Sequence, residues 1–305
     1  MTNPIIFKLK KAITFLLKKK VMIDSAIVGT RLKSFMFRVD SRQISNFAAA
    51  IGDENHHYYI TKNHGIHCAH PVFPVRISWE IIKDLSRWLE TDFPVDLSTP
   101  LVHQGEYLDI RRLPEADDQL TVYGQIAALE PHRRGAKLVL KFEYHDGQGE
   151  QILTEFISAV LFNVTCRDEG RRMDLPPEVP PVEEDAPLWD KAVDVSRTTP
   201  YIYDGCTEIS YPLHTNPQFA RQMGLPDIIL QGTATLAMSV SVILHTELAG
   251  DPSVVRTLAA KFTDIIIPPN RLTVRLLKKT DKQYYFDVRE KNGRYAIRGG
   301  YLEIN

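Results

Sequence analysis

The sequence predicts an α+β protein built twice, as two related half-domains in one chain, each an antiparallel sheet around one central helix. Three observations predict this. The 305 residues are about twice an ordinary domain length. Residues 175–187 read LPPEVPPVEEDAP, a proline-rich, acidic seam that removes backbone donors and reads as an extended linker. On either side of that seam the elements recur in one order: a polar loop, an apolar helix, then four strand-like runs with a turn-type glycine before the last. The expected divisions are a basic extension at 1–21, a first half at 22–170, a linker at 171–187 and a second half at 188–305.

The extension is the compositional exception. IIFKLKKAITFLLKKKVMI at 5–23 breaks every apolar run with lysine, so it lacks the ~20 apolar residues of a spanning helix. Ile6, Leu9, Ile13, Leu16 and Leu17 share one helical face, with Lys8, Lys11 and Lys18 elsewhere. Three readings stay open: a disordered or locally packed extension, a misplaced start with Met22 as the true first residue, or a basic amphipathic helix lying on an anionic membrane.

In the first half, Ile44, Phe47, Ala48 and Ile51 have helical spacing. A loop rich in His and Asn follows, and ISWEIIKDLSRWL at 77–89 predicts one continuous, largely buried helix. Strand-like runs follow at 105–113, 118–129, 136–145 and 151–164, with Asp146-Gly147 followed by Gln148-Gly149 as a hairpin turn. In the second half, PYIYDGCTEI precedes a polar loop, and GTATLAMSVSVILHTEL at 232–248 is the long apolar helix. Runs at 257–267, 271–280, 283–291 and 295–304 are the strands, and Asn292-Gly293 is the matching turn. Leu120-Thr121-Val122 recurs as Leu272-Thr273-Val274, as one unit copied twice requires. Gly299-Gly300 inside a strand pattern marks a bulge or a close approach.

A formal net charge of -1 gives no electrostatic reason to expect nucleic acid. Cys68, Cys166 and Cys206 are odd in number and widely spaced, which fits a reducing compartment, with the cytoplasm as the expected location. No CxxC or HExxH frame is present. His56, His57, His64, His67 and His70 cluster in the first half without tight ligand spacing, so no metal site is expected.

Tyr211-Pro-Leu-His214-Thr-Asn-Pro-Gln-Phe-Ala220, then Gly224-Leu-Pro, then Ile229-Leu-Gln-Gly232-Thr-Ala-Thr235 together resemble the MaoC-like dehydratases, which include (R)-specific enoyl-CoA hydratases. PPNRLTV resembles that family's strand entry, and NGRYAIRGGYLEI its closing hairpin. The first half resembles the degenerate partner domain of two-domain members. Gly52-Asp-Glu-Asn-His-His-Tyr58 stands where the signature falls, with Asp53 and Asn55 kept and Tyr58 in the histidine position.

The resemblance implies a tandem, or double, hot-dog fold. It implies reversible hydration of a trans-2-enoyl thioester, on coenzyme A or an acyl carrier, to the (R)-3-hydroxyacyl thioester, within fatty acid metabolism and with no cofactor. His214 is the expected proton-handling group, because imidazole gains and loses a proton near neutral pH. Gly232 is expected to present a backbone N–H to the enolate oxygen, where a helix start has free donors. Gln231, Thr233 and Tyr211 complete the expected substrate-binding set, Tyr211 standing where the family has Asn.

The family's catalytic Asp falls on Ile209, which cannot move protons. Glu208 and Asp204 are the substitute candidates, with Asp204 requiring the chain to fold back; Asp53 acting across the halves is a weaker one. Arg76 is expected either at a coenzyme phosphate or in a salt bridge, on the surface or between the halves. Two alternatives to hydration keep the fold: a thioester-binding subunit without turnover, and a thioesterase. A homodimer is compatible with the sequence.

Overall fold

The computed structural model describes residues 21–59, 68–89, 101–162, 164–180, 182 and 186–305. The amphipathic segment read at 5–23 lies almost wholly outside the described residues, as do His64 and His67.

The first half contains β1 (Val21–Ile23), β2 (Phe35–Arg38), α1 (Ser41–Ala50), α2 (Pro74–Ile82), α3 (Leu85–Trp88), β3 (Leu101–Ile110), β4 (Gln119–His132), β5 (Gly135–His145), β6 (Gln151–Phe162), β7 (Val164–Cys166) and β8 (Arg171–Arg172). The second contains β9 (Trp189–Val195), α4 (Thr199–Thr207), α5 (Pro212–Thr215), α6 (Pro217–Gln222), α7 (Gly232–Glu247), β10 (Val255–Phe262), β11 (Asn270–Lys279), β12 (Gln283–Arg289) and β13 (Tyr295–Ile304).

The strand order carries the duplication. The first half runs β2-β4-β5-β6-β3 and the second β9-β11-β12-β13-β10, so corresponding strands hold corresponding places. The two five-stranded sets join where β3 and β10 pair antiparallel, with Asp109 opposite Thr257 and Gly105 opposite Lys261. The result is one continuous antiparallel sheet holding both halves. The fold is the tandem hot-dog, α+β, with helices on one face of each set.

The helix at 232–248 forms as expected, and Ala234, Leu236, Ala237, Val240, Ile243 and Leu244 are buried. A helix apolar on every side needs protein all round it. The helix expected at 77–89 is corrected. It ends at Ile82, the chain turns through Lys83 and Asp84, and a short α3 follows. The first half's central helix is therefore 9 residues long against 16 in the second. The expected linker is also shorter at its start: Arg171 and Arg172 pair with Leu129 and Ala128, and the Met173 N–H bonds to the Ala127 carbonyl. At the other end of the first half, Val21, read as the last residue of the extension, pairs with Val164 and so belongs with the first half's strands.

Gly299 has φ +57, and the register of β13 slips beside it. A Cβ at Gly300 would lie 2.6 Å from the Phe286 ring, so close approach and bulge occur together. Among the described residues no helix is long and apolar enough to cross a membrane, and the three cysteines are unpaired.

Candidate active site

The signature loop is shaped by the end of α4. Pro200 sits in its first turn, where a missing N–H is harmless. Glu208 closes the helix in the left-handed region, at φ 59, and its N–H bonds to the Asp204 carbonyl at 2.9 Å. That reversal folds the chain back over α4. The Asp204 carboxyl accepts from Ser210 and from the Tyr211 backbone N–H, and burial pushes its pKa upward. Its Oδ2 is buried without a hydrogen-bond partner among the described residues. Asp204 thus meets the loop that carries His214, as the ten-residue separation required.

His214 lies in α5, and its Nδ1 is 2.8 Å from the Ile229 carbonyl. A carbonyl can only accept, so Nδ1 carries the hydrogen and Nε2 keeps its lone pair. Burial lowers the pKa to about 4, with the Ile229 bond opposing the shift. The ring is therefore neutral at pH 7 and half-buried, a base ready to accept. Tyr211 packs edge-on against it at 6.2 Å and against Phe219 at 5.9 Å.

Ile229 leads directly into the start of α7. Gln231 is the N-cap residue, but its side chain does not cap. Its Nε2 instead donates to the Pro200 carbonyl at 3.2 Å, and its Oε1 is buried without a partner among the described residues. The first backbone hydrogen bond into this helix runs from Thr235 to the Gln231 carbonyl. The N–H groups of Gly232, Thr233 and Ala234 precede it and point out of the helix start. Tyr203 donates to the Thr233 hydroxyl at 3.1 Å, tying α4 to α7. A Cβ on Gly232 would stand 3.1 Å from the Phe262 ring, so an aromatic side chain occupies the space a larger residue would need. Behind Phe262 lies His103, 4.8 Å away between ring centres.

The other candidates fall elsewhere. Glu208 is 58% exposed and pairs with Arg76 of the first half, whose side chain is 5% exposed and also bonds Glu80 at 2.7 Å. Of the two expectations for Arg76, the interdomain salt bridge is the one found. Asp53 accepts from Ser241 at 2.6 Å and from the Asn55 backbone, with His245 Nε2 at 2.8 Å. Ser241 is nine residues beyond Gly232 on α7, roughly 13 Å at 1.5 Å per residue. Asp53 therefore serves the seam between the halves rather than His214. His70 is wholly buried and lies 3.2 Å from Ser241 in that same network. Ile209 is buried at 6% exposure.

Sequence reading missed Tyr203, Phe262 and the Ile229 carbonyl. A carbonyl leaves no residue-type signal, and Phe262 reads as one more apolar position of a strand.

With this geometry in hand, the chain was compared with known proteins. Residues 182–299 match the model of the MaoC like domain, and residues 26–155 that of the FAS1-like dehydratase domain region. Together they cover both halves. The second half thus carries a MaoC-like dehydratase domain, and the first a FAS1-like dehydratase domain region. It is 24% identical over 220 residues to peroxisomal enoyl-CoA hydratase 2 of Arabidopsis thaliana, covering 67% of this chain and 68% of that protein. It is 25% identical over 279 residues to peroxisomal multifunctional enzyme type 2 of Drosophila melanogaster, covering 88% of this chain and 46% of that protein. The chain thus spans less than half of the Drosophila enzyme. The crystal structure of a MaoC-like dehydratase from Phytophthora capsici superposes with TM-score 0.77 at 17% identity, covering 92% of this chain and 97% of that one.

Proposed function

We propose that this protein is a hydro-lyase that adds water reversibly across the trans-2 double bond of an enoyl thioester, giving the (R)-3-hydroxyacyl thioester. The observation that carries the reading is the uncapped start of α7 beside His214. Three backbone N–H groups converge there with a partial positive charge, the arrangement an enolate oxygen needs.

In this reading the neutral His214 Nε2 takes a proton from water as its oxygen adds to C3. The electrons of the double bond move onto the thioester oxygen, which the Gly232 N–H stabilises. The imidazolium so formed returns the proton to C2, so atoms and charge balance within one residue. Asp204 Oδ2 accepts the water's second hydrogen and orients it, which offsets the loss of the family carboxylate at Ile209. Glu208 is left to the seam. Thr233, Gln231 and Tyr211 shape the substrate's path. The break after Ile82 shortens the first half's central helix, which favours room for an acyl chain there. The unpaired cysteines support a reducing compartment such as the cytoplasm.

The buried Ile209 favours one other reading, a thioester-binding protein without turnover. Loss of enoyl absorbance on adding trans-2-enoyl-CoA, abolished in His214→Ala, supports hydration. Acyl-CoA binding without absorbance change supports the binder. Release of free thiol would instead make the protein a thioesterase.

A further inference from the structure

A polar network lies on the helix side of the first half's sheet, between β3, β6 and α2. Glu106, Leu108 and Ile110 alternate inward along β3 and are buried. Glu155 of β6 is buried too, and it accepts from Ser78 of α2 at 3.1 Å and from Tyr144 of β5. Burial pushes both carboxyls far above the ordinary carboxylate range. The two Glu155 oxygens are occupied, and those of Glu106 are not. Apart from a proton held between the two carboxyls, neither Glu106 oxygen has a hydrogen-bond partner among the described residues. His103 Nε2 stands 3.1 Å from Glu106 Oε2, but its hydrogen goes to the Gly105 carbonyl at 3.0 Å. Burial holds the His103 pKa at about 4, so the ring is uncharged at pH 7 and its Nδ1 keeps a lone pair.

We propose that this network binds a hydroxyl group carried far along the acyl chain, the hydroxyl donating to His103 Nδ1 and accepting from the Glu106 carboxyl. The inference rests on the thioester reading above and names the substrate class, hydroxylated enoyl thioesters. The network adjoins the candidate active site: Gly232 abuts Phe262, the Phe262 ring packs 4.8 Å from His103, and Glu106 stands opposite Ala260 where β3 pairs with β10. A chain whose thioester oxygen meets the Gly232 N–H, and which runs toward the first half, passes Phe262 and arrives at His103. The His103 side chain is 24% exposed and that of Glu106 is 0%, so the network is reached at the imidazole. The Glu155 proton is the one held between the carboxyls, which leaves the Glu106 proton to donate. An uncharged acid beside an uncharged imidazole offers one donor and one acceptor, and a hydroxyl satisfies both. A plain alkyl end would leave both unpaired, and an ammonium would need a carboxylate. A carboxyl held in the core short of partners costs stability, which a binding role explains and packing does not.

Matched pairs of trans-2-octenoyl-, decenoyl- and dodecenoyl-CoA, with and without a terminal hydroxyl, test the site on the full chain. At one of these lengths the hydroxylated member should have a kcat/KM roughly tenfold or more above its plain partner. Glu106→Leu should abolish that preference by losing rate on the hydroxylated chain. Glu106→Gln keeps a donor and an acceptor and should retain part of it. The melting temperature of Glu106→Leu should rise, because an under-bonded buried carboxyl is gone. A lower melting temperature with the preference intact would make Glu106 a structural residue and overturns the proposal. So does the absence of any preference in the wild-type protein at all three lengths, or a preference for terminal-amino chains instead. Calorimetry with the saturated acyl-CoA pairs reads the same selectivity without turnover. If no thioester is hydrated, yet the wild-type protein binds a hydroxylated chain about tenfold tighter and Glu106→Leu does not, the hydratase reading fails and the hydroxyl site stands.

Discussion

The Arg76 guanidinium, rooted in the first half, closes on the Glu208 carboxylate of the second. The two ends of this pair are unequal, since Arg76 is buried and Glu208 largely exposed. Removing the exposed end leaves Arg76 its bond to Glu80, so Glu208→Ala should cost only about 1 kcal/mol in urea unfolding. Arg76→Ala removes a buried guanidinium and opens the seam while Glu80 keeps Lys83 at 2.6 Å, and should cost about 2 kcal/mol. Turnover in Glu208→Ala should stay within about threefold of wild type. A thousandfold loss would instead make Glu208 the base.

His214 predicts an unusual pH profile. Burial holds its pKa at about 4, so the active, neutral form is present throughout the range above that value. Activity should therefore be flat from pH 8 to pH 5.5 and fall only as pH approaches 4, with no acid limb near the ~6.5 of a free imidazole. His214→Ala should lower kcat by about 10³-fold. A limb centred at 6.5 would mean that the ring is solvated in the working enzyme.

Asp204 separates an orienting carboxylate from a structural one. Asp204→Asn keeps a side chain able to hold Ser210 and should leave the melting temperature within a few degrees. It should nonetheless lower kcat by about 10²-fold with KM little changed, because a water would lose its acceptor. Wild-type kcat in this variant would return Asp204 to the role of a loop brace.

Gly232 is constrained by its neighbour as well as by its backbone. In Gly232→Ala the new methyl would meet the Phe262 ring at 3.1 Å, forcing the ring or the helix start to move. Because the oxyanion contact depends on that start, kcat should fall by roughly 10- to 100-fold. Phe262→Leu in the same chain should restore part of the loss. No restoration would place the damage in the backbone rather than in the packing.

Much of this architecture is legible in the chain because its signals are local. Alternating runs such as residues 119–132, the turn at Asn292-Gly293 and the apolar block after Gly232 each declare an element from neighbouring residues. The break after Ile82 is not declared, since Lys83, Asp84 and Ser86 fit the polar face of a longer helix equally well. In the site, His214 and Gly232 stand out by motif, and Asp204 by charge. What holds them does not stand out. The His214 ring is oriented by a carbonyl 15 residues away, and the helix start is backed by Phe262. Asp53 shows the same limit from the other side: it looks like a catalytic remnant, and only a fold that brings Ser241 and His245 to it reveals a seam.

That seam carries the last prediction. Asp53 and His70 come from the first half, Ser241 and His245 from the second, and Ser241 bridges the first two. Burial lowers the His70 pKa to about 4, with Asp53 opposing and His245 adding to the shift, so the folded ring refuses a proton that the unfolded one accepts near 6.5. Its contribution is therefore complete above pH 6.5 and is lost as pH falls from 6.5 toward 4. Asp53 is shifted below its ordinary value despite burial, through its bonds to Ser241, His245 and Asn55 and the nearby His70, so its stabilisation holds above the usual carboxylate range and fades in stronger acid. Unfolding free energy should drop steeply between pH 6.5 and 4.5. In His70→Gln that slope should lessen by up to about 1.4 kcal/mol per pH unit, one proton's worth. Ser241→Ala should cost about 2 kcal/mol at pH 7.5, where Asp53 loses a buried donor. Identical acid slopes in wild type and His70→Gln would show that protonation elsewhere governs how the two halves come apart.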